Sequence, residues 1–280
     1  MTSPKSLKGA ELIGEGSQSE VYTWGDGQVL KLFRPGRTSN MKEMAVASAA
    51  HKAGVPGPEV IGGLIDVNDR EGIVFERIDG LTLFEYLKNN PNPSELATCA
   101  KQTAELLARI HSARDPALRP VREDLIRNIK RADRFDAEMR RAVLHIIDEL
   151  PMDDTLCHGD FFPDNIIVSK REAMVIDWGS GGTENPLYDF ARFKVRLMHL
   201  QDRLSESHAS ESAQRRAAVL RSFVDVFCQR YEELRPIDKG SLACWQMVAS
   251  AVRASQAPRE KSHFISLIRA VLDGTEHRYL

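Results

Sequence analysis

The spacing of apolar positions changes character once along this 280-residue chain. Over the first ~75 residues, short apolar or alternating runs at 11–14, 20–24 and 28–33 read as strands, because side chains on a strand alternate between its faces. Gly14, Gly16, Gly25 and Gly27 punctuate them, and Gly25-Asp26-Gly27 has the composition of a hairpin turn. A helix rich in Ala and Met is predicted over 40–52, halted at Gly54 with Pro56 and Pro58 beyond it. Two more strand-like runs, 59–67 and 72–78, are joined by the polar turn Asn68-Asp69-Arg70.

The period then lengthens. Over 94–111, Leu96, Cys99, Ala100, Thr103, Leu106, Leu107 and Ile110 share one helical face. Further helical patterns cover about 121–149, 186–204, 210–234, 240–256 and 260–273. Only 156–177 departs from helix, with strand-like runs at 165–168 and 173–176 about a turn at Lys170-Arg171. The chain shows no internal repeat or low-complexity tract. The predicted fold class is α+β, in two lobes. A small antiparallel β-sheet N-lobe with one helix (1–78) leads through a connection at about 76–80 to a larger, mainly helical C-lobe (79–280).

Composition narrows the classes of function. Apolar residues make up 42% and charged residues 28%, with a net charge of −2. No whole-molecule field therefore points to nucleic acid or a membrane surface as a partner. The polar start Met1-Thr2-Ser3-Pro4-Lys5 has no leader-like apolar run after it, and no stretch reaches the ~20 apolar residues of a membrane span, so the expected location is cytoplasmic. Cys99, Cys157, Cys228 and Cys244 form no Cys-x-x-Cys pair, and free thiols are expected. Oligomeric state is left open.

The chemistry concentrates in His158-Gly159-Asp160-Phe161-Phe162-Pro163-Asp164-Asn165, followed by Asp177. Phosphoryl transfer asks little covalent work of a protein. It needs a carboxylate to orient the attacking hydroxyl and oxygen ligands to hold Mg²⁺ on a triphosphate. Asp160 offers one carboxylate, Asn165 an amide oxygen and Asp177 a second carboxylate. A hairpin of the two short strands between them brings Asn165 and Asp177 to the same end. In the first ~75 residues, Gly14-Glu15-Gly16-Ser17-Gln18-Ser19-Glu20-Val21 lies between two strand-like runs, where glycine permits close backbone approach or φ > 0. It reads either as a plain hairpin or as a phosphate-covering turn. No helix opens directly after it, so it is not a dinucleotide fingerprint. Lys31 sits mid-strand in Val29-Leu30-Lys31-Leu32-Phe33, where an ammonium is costly unless it is paired or faces solvent from an edge strand.

His-x-Asp-x-x-x-x-Asn, an apolar strand and then Ile176-Asp177-Trp178-Gly179 resemble the catalytic and metal loops of the aminoglycoside phosphotransferase/choline kinase-like family, relatives of protein kinases with a protein-kinase-like fold. The resemblance spans roughly residues 10–200. It implies an ATP-dependent phosphotransferase with Mg²⁺ as cofactor and a small-molecule hydroxyl as acceptor. Asp160 would be the catalytic base, His158 a brace for the loop, and Asn165 and Asp177 the metal ligands. Gly14, Gly16 and Ser17 would cover the phosphates. Lys31 would contact them and pair with Glu43. The carbonyl of Glu76 and the amide of Ile78 would face adenine, with Phe75 behind it. Asp189 would stabilise the catalytic loop. The short glycine-rich stretch after Asp177 disfavours a protein kinase. The presence of Lys31, Asp160, Asn165 and Asp177 together disfavours a catalytically silent nucleotide-binding regulator.

The acceptor is the open question. Residues 191–280 carry 15 Lys and Arg against 10 Asp and Glu, a balance that weighs mildly against a polycationic aminoglycoside. A quaternary amine would want an aromatic cage. Trp178 and Trp245 are the candidates for one, with the protein core as their other expected place.

Overall fold

In the computed structural model, residues 6–36, 40–89, 91–133, 135–169, 172–205, 210–256 and 261–272 are described. A five-stranded antiparallel sheet comes first, built from β1 (Leu12–Glu15), β2 (Ser19–Thr23), β3 (Gln28–Phe33), β4 (Ile65–Val67) and β5 (Arg70–Glu76) in the order β1-β2-β3-β5-β4. β3 is therefore central, with Lys31 opposite Val21 on one side and Ile73 on the other. Alternation along β3 sends Leu30 and Leu32 into a small core with Trp24, Val67 and Val74. Lys31 and Phe33 take the opposite face, and a solvent-facing lysine on an edge strand is thereby excluded.

The turns follow local chemistry. β2 and β3 are joined through Gly25 and Gly27, both at positive φ. Asn68 and Asp69 both have positive φ between the paired Val67 and Arg70, as a two-residue hairpin loop of this twist requires. The strand expected over 59–67 is shorter in the structure. Val60 makes only an isolated bridge to Phe75, and pairing resumes at Ile65, because Gly62, at φ +76°, and Gly63 break the extended run.

Helix α1 (Asn40–Lys52) packs its buried Glu43, Val46, Ala47 and Ala50 beneath the sheet and against the turn at Trp178–Ser180. The short β6 (Leu81–Thr82) leads into α2 (Leu83–Lys88), an element absent from the periodic pattern. Its start is a capping box: Thr82 accepts from the Glu85 amide, and the Glu85 side chain accepts from the Thr82 amide. The same device on Asn92 and Glu95 opens α3 (Pro93–Ile110). The pattern over 121–149 divides into α4 (Val121–Arg131) and α5 (Ala137–Glu149), because Asp136 caps a new start by accepting from the Met139 amide.

After β7 (Leu156–Cys157) come β8 (Ile166–Val168) and β9 (Ala173–Val175), which pair with each other, while β6 pairs with β8. The expected turn at Lys170-Arg171 lies outside the described residues. The chain then runs through β10 (Gly182–Thr183), paired with β7, into α6 (Leu187–Leu204), α7 (Glu211–Leu234), α8 (Lys239–Gln256) and α9 (Lys261–Leu272). α6 packs on α7 and α8, and α3 on α7. The α6/α7 seam is aromatic: Phe190 stacks on Tyr231 at 4.7 Å between centroids, and Phe193 meets Phe227 at 4.5 Å. No helix among the described residues is long and apolar enough to cross a membrane.

One ion pair joins α4 to the segment before α6. Arg122 donates to both carboxylate oxygens of Glu184, at 3.0 and 2.8 Å, and caps the end of α5 through the carbonyls of Ile147 and Leu150. Both side chains are buried, and Arg122 lies over the Trp245 ring. Removing one partner strands the other charge away from water. Arg122→Met is expected to lose about 3–5 kcal/mol of stability, and Arg122→Met/Glu184→Leu to recover most of it. Urea denaturation followed by circular dichroism reads both, and a loss below about 1 kcal/mol for the single variant would contradict the assignment.

Candidate active site

The loop between β7 and β8 carries the motif, and its shape is set from α6. Asp189, in the first turn of α6 and fully buried, accepts hydrogen bonds from the His158 amide at 2.6 Å and the Gly159 amide at 2.8 Å. Burial pushes its carboxyl up, but His111 and the His158 amide outweigh that and hold it below the usual carboxylate range. His111 sits behind Asp189, with Nε2 3.4 Å from Asp189 Oδ2 and Nδ1 2.6 Å from the Tyr231 hydroxyl. Burial holds the imidazole below the ordinary histidine value, hence neutral. Cys157 lies close to His111 and Asp189, but its thiol is pushed far up by burial and donates to the Glu184 carbonyl. The trio is thus a hydrogen-bonded support under the loop.

Gly159 is required by geometry. Its φ is +77°, and a Cβ there would lie 2.2 Å from the Ser180 carbonyl oxygen. A side chain at this position, such as the arginine of the protein-kinase motif, has no room. The His158 ring accepts from the Asp160 amide at Nδ1 (3.2 Å) and reaches the Ile176 carbonyl with Nε2 (3.0 Å), linking the loop to the residue before Asp177.

Asp160 emerges beyond this support. Its Oδ1 receives Arg192 at 2.9 Å and Arg196 at 2.6 Å, both from α6. Burial raises its carboxyl, but the two guanidinium groups outweigh that and hold it low, so it is ionised near neutrality. Asn165 donates from Nδ2 to the Asp160 carbonyl at 3.0 Å, which leaves Oδ1 as its other polar atom. Its own carbonyl accepts from the Ile176 amide at 3.0 Å, so the β8/β9 hairpin sets Asn165 beside Asp177. Asp177 has φ +65°, a left-handed conformation that a non-glycine residue adopts at a cost of order 1–3 kcal/mol.

Lys31 spans the gap from the sheet. Its Nζ lies 2.6 Å from Glu43 Oε1 and 2.9 Å from Asp177 Oδ1. Burial would lower the ammonium's value, but the two carboxylates outweigh it and hold it above the ordinary lysine range. Gly179 also approaches Oδ1 of Asp177, so neither Lys31 nor Gly179 occupies its Oδ2. A cleft of about 220 Å³ runs between sheet and helices, with Gly16, Ser17, Lys31, Glu43, Asp160 and Asp177 in its walls. Gly14 lies two residues before Gly16, in β1 opposite Val21, and is not among the residues lining the cleft.

Neither Gly14 nor Gly16 has positive φ, and a Cβ at either would meet only ordinary contacts. Nothing in the protein itself demands glycine at those two positions. At the far end of β5, the Glu76 amide donates to Glu59, and the Arg77 amide to the Gly27 carbonyl, so exposed Glu76 and half-buried Ile78 flank the start of β3. Phe75 is buried in the main core.

Both candidate tryptophans are core residues: the Trp178 ring lies 4.7 Å from the His158 ring, and Trp245 is buried against Tyr188. Neither forms a cage. Sequence reasoning missed Arg192, Arg196 and His111. The Asp189-x-x-Arg192-x-x-x-Arg196 spacing on one helical face was the available signal for the two arginines. His111, at the end of α3, had none.

Comparison with known proteins places this architecture. A family model described as the phosphotransferase enzyme family matches residues 9–237. Among solved structures, a thermostable mutant of an aminoglycoside phosphotransferase superposes with a TM-score of 0.65 at 17% identity, over 95% of this chain and 94% of that one. An amicoumacin kinase in complex with AMP-PNP and Ca²⁺ gives 0.65 at 11% identity, over 96% and 89%. A choline/ethanolamine kinase family protein from Mesorhizobium loti gives 0.58 at 18%, over 95% and 85%. No curated protein matches the chain in sequence. The likeness in structure establishes a shared protein-kinase-like fold, and the family match covers both the sheet and the loop from His158 to Asn165. The chain belongs to the phosphotransferase enzyme family.

Proposed function

We propose that this protein transfers the γ-phosphoryl group of ATP to a hydroxyl group of a small molecule. The observation that carries this reading is the convergence of Lys31, Asp177 and Asp160 on one cleft from the sheet, the metal-loop turn and the catalytic loop. The sheet segment, residues 1–78, covers the nucleotide, and residues 79–280 supply the catalytic loop and the acceptor site. Gly14, Gly16 and Ser17 lie over the phosphates, where glycine leaves the backbone open to close approach. Glu76 and Ile78 hold adenine through backbone groups.

Lys31, fixed by Glu43, is oriented toward the α- and β-phosphates. A hard divalent cation fits the donors on offer, since carboxylate and amide oxygens are what Mg²⁺ takes. Asp177, through the oxygen not engaged by Lys31, and Asn165, through Oδ1, would hold it. Bound there, Mg²⁺ neutralises charge on the transferring phosphates.

Asp160 receives the acceptor proton. The acceptor oxygen forms a bond to the γ-phosphorus, the bond from that phosphorus to the bridging oxygen breaks, and ADP leaves with the electron pair. His158 and Asp189 keep Asp160 at the working position without touching substrate. Such preorganisation accounts for most of what a protein can contribute to phosphoryl transfer.

Incubation with Mg²⁺-ATP and pools of hydroxyl metabolites, read by an 80-Da mass gain, tests the reaction directly. Asp160→Asn is expected to lower kcat by about 10²–10⁴-fold with the KM for ATP little changed. A loss under about tenfold would remove Asp160 from the base role. Separately, the thermal shift given by ATP with Mg²⁺ is expected to vanish in Asp177→Ala. A shift of wild-type size in that variant would show that Asp177 does not hold the metal.

A further inference from the structure

On the helical side of Asp160 lies a second recess of about 180 Å³, between α2, α6, α8 and α9. Arg196 connects the two spaces. Its guanidinium reaches Asp160, which lines the nucleotide cleft, and the same side chain lines the recess. Arg203, two turns further along α6, and Arg253 of α8 line it as well. No carboxylate is among the described residues of its wall; Arg203 and Arg253 each have a partner of their own, and the five N–H donors of a guanidinium leave room for a second. The acidic groups acting on Arg196 from the loop side are Asp160 and Asp164.

Apolar rings complete the enclosure. Phe162, from the catalytic loop, lies with its ring centroid 3.4 Å from the Arg196 guanidinium carbon, while Phe84 and Phe264 close other sides. Arginines gathered around a partly apolar hollow raise the local potential, because the low-dielectric walls screen it poorly. Arg196 registers that crowding. Burial first, with the fields of Arg192 and Arg253 adding and Asp160 opposing, brings its guanidinium down to about 10.

We propose that this recess binds the anionic group of the acceptor, so that the substrate is a hydroxyl compound carrying a carboxylate or phosphate on a body with an apolar face. The assignment rests on the phosphotransferase reading above and supplies its missing substrate class. Arginine suits either anion through paired N–H donors, and the phenylalanine walls suit an apolar or planar body. An anion held by Arg203 and Arg253 would share the recess with Arg196, whose guanidinium reaches Asp160. A cationic acceptor would enter against the same charges, at a cost set by like-charge repulsion.

A matched set tests the charge alone: 4-(hydroxymethyl)benzoate and 4-(hydroxymethyl)phenyl phosphate against 4-(hydroxymethyl)benzamide and 4-(hydroxymethyl)benzylamine, each with Mg²⁺-ATP and the full-length protein. The anionic members are expected to show a kcat/KM at least about tenfold above the amide, with the amine poorest, and their relative rates separate carboxylate from phosphate as the preferred anion. Arg203→Gln and Arg253→Gln are each expected to raise the KM for the anionic member several-fold without moving the KM for ATP. Equal or better use of the amide or amine would overturn the proposal while leaving the phosphotransferase reading intact.

If no member is phosphorylated, ligand-observed NMR with Mg²⁺-AMP-PNP present decides. Binding of the anionic members that Arg253→Gln weakens would uphold the recess and count against the reaction. Binding without charge preference, or none, would overturn the recess.

Discussion

The active loop depends on one buried carboxylate. Asp189 has no exposure to water, and such a group is tolerated only when its lone pairs are filled. The amides of His158 and Gly159 and the His111 ring fill them. This bonding fixes where the backbone turns at Gly159, and that turn fixes where Asp160 points. His158 then ties the loop to Ile176, the neighbour of Asp177. A residue that does no chemistry in the proposed mechanism thus sets the relative positions of the carboxylates that do. Its anchor is carried in turn by α6 and α3, through Tyr231 of α7, so the helical core is part of the site's geometry.

A second constraint is charge balance. Lys31 faces Glu43 and Asp177, and Asp160 faces Arg192 and Arg196, so each charged group in the cleft is opposed before any ligand arrives. Opposition keeps the carboxylates of Asp160 and Asp177 ionised and the lysine protonated, which is the state that anion binding, cation binding and proton acceptance all require. It also builds a boundary. Of the two arginines that steady Asp160, Arg196 also lines the recess beside α6. In the proposed reaction, the positioning of Asp160 and the charge of the acceptor are coupled through Arg196.

Much of this was legible in the residues. The run around Lys31 announces a strand, and an ammonium inside it demands a partner, which Glu43 supplies from a helix whose limits, 40–52, follow from the Gly54 stop. The strand pair flanking 170–171 implied that Asn165 and Asp177 are neighbours. Tertiary reach hid the rest. Arg192 and Arg196 lie about thirty residues beyond Asp160, and only the packing of α6 shows which of its basic residues face the loop. The short α2 has too few residues for a period to register, although its Thr82/Glu85 box is written in the sequence. The pattern over 121–149 hid a break because Ala132 and Phe135 continue the apolar spacing while Asp136 starts a new helix. The shape of the Gly14–Gly16 turn was also unreadable, since its glycines answer to no strain inside the protein.

In the proposed reaction one cleft holds a metal-bound triphosphate between Lys31 and Asp177, with Asp160 in its wall. A crystal structure with Mg²⁺ and AMP-PNP tests it most directly. The α- and β-phosphates are expected against Lys31, the cation on Asp177 and Asn165, and the γ-phosphate directed toward Asp160. Nucleotide bound elsewhere, or a cation touching neither Asp177 nor Asn165, would contradict it.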